Sequence, residues 1–174
     1  MKNHLTLSDI TGKLKEKGGA LGEHEDYMRQ AVDLAKEAAQ AGEVPVGCVI
    51  VRDGDIIARG RNRREEDRCA LAHAEMEAIG EACRVLGGWR LSRCRMYVTL
   101  EPCPMCAGGL ISARIPDVYY GAKDAGIGAC GSVLNLFEEG FRHKPRLRGG
   151  LLEEECGDVL SAFFEKIRKK SENL

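Results

Sequence analysis

The segment Arg95–Leu100 (RMYVTL) runs without a break into Glu101-Pro-Cys-Pro-Met-Cys106, and a helical pattern, CAGGLISARI, starts at the cysteines. RMYVTL reads as a short β-rich strand. Two thiols three positions apart therefore stand where a strand gives way to a helix, behind a proline. The rest of the chain has to be arranged around that junction.

Upstream, Glu25, Met28, Ala31, Val32, Ala35 and Ala39 recur at helical spacing towards Gly42. VPVGCVIV (44–51) reads as a buried strand, joined by the polar turn Arg52-Asp-Gly-Asp55 to a second strand, Ile56 to Arg59, as a hairpin. The loop RNRREEDR precedes a second helix, about Ala72 to Val85, with Met76, Ile79 and Cys83 along one side. Beyond the third helix come a strand, Val118 to Gly121, a glycine-rich loop (GAKDAGIGACGS), a short helix around Val133 to Glu138 and a basic stretch, Arg142–Arg148. The final helix, Glu153 to Lys170, is acidic at its start and basic at its end, which complements the helix macrodipole and leaves much of that charge without need of a functional cause. The order α-β-β-α-β-α-β-…-α predicts an α/β fold with one mixed sheet sandwiched by helices.

A chain of 174 residues suits one domain with a sizeable core. Residues 1–22, polar and weakly patterned, are expected to form a flexible N-terminal extension or a short extra helix, with the domain over 23–170. A formal charge of -1 excludes a general polyanion binder, so any nucleic-acid contact must use local basic patches. The start MKNHLTLSDI has no apolar leader region, and no run approaches the roughly 18 apolar residues of a membrane span. No membrane association and a cytoplasmic location are the expectation. The eight cysteines then read mostly as reduced, small and buried, the CxxC pair apart.

Two thiolates leave a zinc site short of ligands, and there are four histidines to draw on. His4, His24 and His143 have no such context, whereas His73 opens the second helix within Ala72-His-Ala-Glu75. Zinc accepts Cys and His, and catalytic sites use three protein ligands with a position open for water. Thiols at a helix N-terminus are favoured as thiolates by the unpaired amides and the positive dipole end. Zinc lowers the pKa of bound water towards about 7, so Glu75, two residues after His73, can shuttle protons without being a ligand. Each motif alone has a plainer reading: a redox or incidental CxxC, a packed histidine, a solvated helix carboxylate. Together they match the H-x-E…P-C-x-x-C signature of zinc nucleobase deaminases.

VPVGCVIV, AHAEMEAI, YVTLEPCPMCAGGLISARI, YYGAKDAGIGACGS and LSAFFEKIRKK, in that order and over roughly residues 25–170, resemble the bacterial tRNA-specific adenosine deaminases. The resemblance implies a cytidine-deaminase-like three-layer α-β-α sandwich with a central mixed five-stranded sheet, and a homodimer. It implies hydrolysis of adenosine to inosine at the wobble position (position 34) of a tRNA anticodon, usually that of arginine tRNA with anticodon ACG. His73, Cys103 and Cys106 would bind one Zn2+ per subunit and Glu75 would carry protons from the attacking water to N1 and then to the leaving ammonia. Asn62 would contact the flipped base and Asp124 would meet the RNA backbone near the target, although by turn preference Asn62 is also a turn residue and Asp124 a loop cap.

Cys69-Ala70-Leu71 stands where the family has an Asp-Pro-Thr-like segment, and Gly126 where many relatives have Lys. Both departures touch the expected substrate-facing rim. An anticodon loop is unpaired, so extruding a base from it is cheap, and RNA loops are held by stacking and phosphate contacts. Arg142–Arg148 and Lys166–Lys170 are candidate phosphate contacts. Phe163 and Phe164 point about 100° apart on a helix, so at least one is expected in the core. The rival readings are a free-base or nucleoside deaminase (guanine or cytosine type), a structural zinc module with a fourth protein ligand, and a dithiol redox protein.

Overall fold

The expected hairpin joins β1 (Gly47–Arg52) to β2 (Asp55–Arg61) through Asp53 and Gly54, both at positive φ (53° and 94°). Two left-handed residues twist the chain as a tight hairpin requires, and Asp-Gly is a pair that accepts them. β3 (Cys94–Leu100) lies antiparallel to the other side of β1, then β4 (Asp117–Ala122) and β5 (Arg146–Arg148) follow in parallel, giving the sheet order β2-β1-β3-β4-β5. The computed structural model describes residues 20–172. The expected extension up to residue 19 lies outside the described residues, and α1 (Ala20–Gln40) already begins within the last three positions assigned to it.

Side chains alternate across the strands and build a core on each face. On one face Met28, Ala31 and Val32 of α1 and Cys156 of α4 (Glu153–Glu172) meet Val49, Val51, Tyr97 and Tyr119. On the other, α2 (Ala74–Leu86) and α3 (Pro104–Ala113) bring Ala74, Ala78, Ala82, Ala107 and Leu110 onto Cys48, Ile50, Met96 and Val98. The result is the expected three-layer sandwich around a five-stranded mixed sheet. His24 fastens α1 to the sheet: its Nδ1 is 2.7 Å from the Tyr97 hydroxyl, and its ring stacks on Tyr119 at 4.4 Å between centroids.

Glycine sets how closely α2 approaches. A Cβ on Gly60 would run into the Ala74 carbonyl oxygen and come within 2.7 Å of the Ala78 nitrogen, so the first turn of α2 lies against the β2 backbone. The buried face of α2 is accordingly Ala74, Ala78, Ile79 and Ala82; Met76 and Cys83, expected with Ile79, are only half-buried. Met76 turns instead towards Gly109 of α3, where an added Cβ would lie 3.0 Å from its sulfur.

Three further differences have physical causes. The basic stretch contains a strand: Arg146 reaches Asp117 through two hydrogen bonds of 2.8 and 2.7 Å, with Leu147 packed inward, and three residues are too few to show a strand's alternation. The short helix narrows to a 3-10 turn, Leu136–Glu138. Neither Phe163 nor Phe164 enters the core, because Val159 and Leu160 are the last α4 side chains packed against it; Phe163 is half-buried and Phe164 exposed.

Candidate active site

His73 is the N-cap residue of α2 and Cys103 that of α3, with Pro104 opening the latter helix. Both have extended backbone (φ -81°, ψ 151° and φ -73°, ψ 171°), and neither side chain caps its own helix, so both are free to point across the gap between the two N-termini. Pro104 costs nothing here, since a first-turn amide has no partner within the helix. The His73 Nδ1 lies 3.5 Å from the Cys106 Sγ and 3.7 Å from the Cys103 Sγ, and all three ligand atoms fall within 4.8 Å of one another.

These separations fit a tetrahedral ion. A nitrogen about 2.0–2.1 Å and a sulfur about 2.3 Å from a common centre stand about 3.6 Å apart. The chemistry of the donors fits as well. The Cys106 thiol and His73 hydrogen-bond the Cys103 sulfur and hold its pKa down at about 4, despite burial. Cys106 is pushed well up by the Cys103 sulfur and by burial, so the first proton leaves Cys103. The contact with Cys103 raises His73. A dication between the three would stabilise both thiolates.

Glu75, in the first turn of α2, is 4% exposed, and burial pushes its carboxyl up to about 7. With His73 and Cys103 it lines a cavity of about 190 Å³ whose walls include Asn62, Arg64, Glu101 and Asp124. Five of the six residues singled out in the sequence thus face one cavity, and the sixth, Cys106, belongs with His73 and Cys103 to the trio that could hold a metal ion.

Asn62 is 6% exposed; its backbone amide donates to the Val46 carbonyl at 3.0 Å and its side-chain nitrogen to the Val44 carbonyl at 3.3 Å. Among the described residues its buried Oδ1 has no hydrogen-bond partner. Asp124 is indeed a loop cap, Oδ1 accepting from the amides of Gly126 at 2.9 Å and Ile127 at 3.2 Å, and it also borders the cavity. Cys69, Leu71 and Gly126, the positions of the two departures, are exposed.

Sequence reasoning gave no role to two groups of the wall. Arg64 sits on a turn held by buried Glu43, whose Oε1 accepts from the amides of Glu65 at 3.0 Å and Glu66 at 2.8 Å. Glu101 accepts from the amides of Asp124, Cys130 and Ser132; burial opposes its charge, but the Ser132 hydroxyl and these amides outweigh that and lower its pKa. Its place in EPCPMC, immediately before the ligands, was the available signal.

Residues 21–122 match the family model of the cytidine and deoxycytidylate deaminase zinc-binding region. The tRNA-specific adenosine deaminase of Bacillus subtilis (strain 168) is 52% identical over 145 residues, which are 83% of this chain and 90% of that one. The chain belongs to the tRNA-specific adenosine deaminase family. A solved structure from a study of A-to-I editing by tRNA:A34 deaminases at the wobble position of transfer RNA matches the deaminase with TM-score 0.76 and 43% identity, over 78% of this chain and 99% of that one. A guanine deaminase of Bacillus subtilis also matches, with TM-score 0.56 and 44% identity over 60% of this chain and 71% of its own. The family-model match stops at Ala122, so the Asp124 loop, β5 and α4 of the deaminase lie beyond it.

Proposed function

We propose that the deaminase hydrolyses adenosine to inosine at position 34 of a tRNA anticodon, in arginine tRNA with anticodon ACG, with His73, Cys103 and Cys106 holding one zinc ion and Glu75 moving the protons. The observation that carries this reading is the imidazole and two sulfurs meeting at two helix N-termini, with a buried carboxylate on the same cavity. Substrate class rests on the 52% identity to a tRNA-specific adenosine deaminase.

Bound zinc would supply an acidified water and an electrostatic partner for developing negative charge. Glu75 takes one proton of the attacking water and delivers it to N1 of the adenine; it then takes the remaining proton from the oxygen now bound to C6 and gives it to the departing amine, so that water and adenosine become inosine and ammonia. Burial holds the Glu75 carboxyl above the ordinary carboxylate range, which favours its taking up a proton from the attacking water. Asn62 Oδ1, without a partner among the described residues, would accept a hydrogen bond from the flipped base, and Asp124 would meet the backbone beside it. Exposed Arg142, Lys166, Arg168 and Lys170 are available to phosphates, whereas Arg146 is engaged by Asp117.

A homodimer in the cytoplasm completes the reading. Among the described residues no helix is long and apolar enough to cross a membrane, and exposed Leu71, Val133 and Leu134 are available to a second copy. Light scattering of the purified protein tests the dimer.

The decisive assay presents zinc-loaded protein with an anticodon stem-loop bearing wobble adenosine, beside free adenosine, guanine and cytidine, with Glu75→Ala as control. Inosine in the stem-loop alone, absent in the control, is the expected result. Release of ammonia from guanine instead would favour the reading that the guanine deaminase likeness suggests.

A further inference from the structure

The carboxylate of Glu101 joins two parts of the chain that the sheet leaves separate. It stands between the end of β3 and the ligand turn, 2% exposed. Its Oε1 accepts from the amides of Cys130 at 2.9 Å and Ser132 at 3.1 Å, and its Oε2 from the amide of Asp124 at 3.0 Å and from the Ser132 hydroxyl. One side chain therefore grips segment 124–132 at both ends. Main-chain bonds run alongside: the Glu101 amide donates to the Ala122 carbonyl at 2.8 Å, and the Ala129 amide to the Pro102 carbonyl at 2.9 Å.

The segment so held carries Asp124 and Ile127, both on the cavity wall. Asp124 passes the restraint on, since its Oδ1 accepts from the amides of Gly126 and Ile127. The fit is tight: a Cβ on Gly128 would come within 2.5 Å of both the Asp124 carbonyl oxygen and the Glu101 carboxyl carbon. Both Glu101 oxygens are occupied by loop donors, which leaves proton transfer to Glu75.

We infer that Glu101 is a positioning residue: through Asp124 it fixes the 124–132 loop against the cavity and so sets the grip on the substrate, without touching the reacting atoms. This inference rests on the deaminase reading for its substrate, but the loop restraint itself does not.

Glu101→Gln tests it. Glutamine keeps one acceptor oxygen, which can serve Cys130 and Ser132, while its amide NH2 faces the Asp124 N–H and releases that end of the loop. Amide hydrogen exchange of residues 123–133 is expected to quicken while α3 keeps its protection and zinc content stays at one ion per chain. The KM for the anticodon stem-loop is expected to rise about tenfold with kcat within about twofold. In combination with Asp124→Ala, the loss is expected to be well short of the sum of the two single losses, as for residues acting in one chain of contacts. Unchanged exchange in the loop, a fall in kcat at unchanged KM, or additive losses would each overturn the inference. A wild-type protein that leaves the stem-loop untouched would overturn the substrate reading instead, and the exchange measurement would still decide the role of Glu101.

Discussion

Gly60, next to the last residue of β2, and Ala74 in the first turn of α2 are packed backbone to backbone, with no room for a side chain between them. This seam holds His73 and Glu75 over the sheet. Any atom added to it pushes the first turn of α2 off the β2 backbone.

Gly60→Ala is therefore expected to destabilise the protein by about 1–3 kcal/mol, the usual range for overpacking, as read from urea unfolding. Because the displaced helix begins at His73, the proposed zinc ligand, zinc is also expected to pass more readily to a competing chelator. A variant as stable and as retentive as the wild type would refute the seam's role.

Glu75→Gln preserves shape and removes the proposed proton carrier. The kcat on an anticodon stem-loop is expected to fall by about 100- to 10,000-fold, the range for general acid–base groups. Zinc content and melting temperature are expected to hold, since a neutral amide is easier to bury than a carboxylate.

Removing the metal is expected to abolish turnover and to uncover Cys103. With its pKa near 4, this thiol is ionised at pH 6, where an ordinary cysteine is almost wholly protonated. Metal-stripped protein treated with iodoacetamide at that pH is expected to carry the label on Cys103, located by peptide mass spectrometry. Zinc reloading is expected to protect the site and restore activity.

The opposite face of the sheet predicts a pH effect. Burial, with help from Arg95 and Arg148, lowers the pKa of His24 below 6.5 in the folded protein, against contributions from Glu23 and Asp117 that raise it. The unfolded chain then binds a proton at this position more readily than the folded one, so stability falls as pH drops below about 6.5 and approaches the folded value. Urea midpoints at pH 8 and pH 5.5 are expected to draw closer together in His24→Gln. An equal difference in variant and wild type would exclude His24 as the cause.

The central motifs were legible because chemistry and pattern coincide there: His73 and Cys103 each begin a helix, and helix starts leave recognisable residues. The hairpin was equally plain from Asp53-Gly54. Less visible was anything settled by contact rather than by sequence period. The alanine face of α2 looked unremarkable beside Met76 and Cys83 until Gly60 gave it a partner. The Glu101 clasp needs amides up to 31 positions away, which no local pattern announces. Side chains about 100° apart on a helix put one of Phe163 and Phe164 in the core only where the helix is packed, and the α4 contacts with the core end at Val159 and Leu160.

β5 has a bearing on how the protein behaves in a crowded cell. A strand at the margin of a sheet offers unpaired backbone groups to any passing chain, and long, flat, apolar margins invite aggregation. Here the margin is three residues long, with charged side chains exposed at Arg146 and Arg148 on either side of a single leucine. A neighbour seeking to add another strand would find little length to pair with and like charges to bury. The same arginines that give the stretch its basic character also discourage the sheet from growing at this edge.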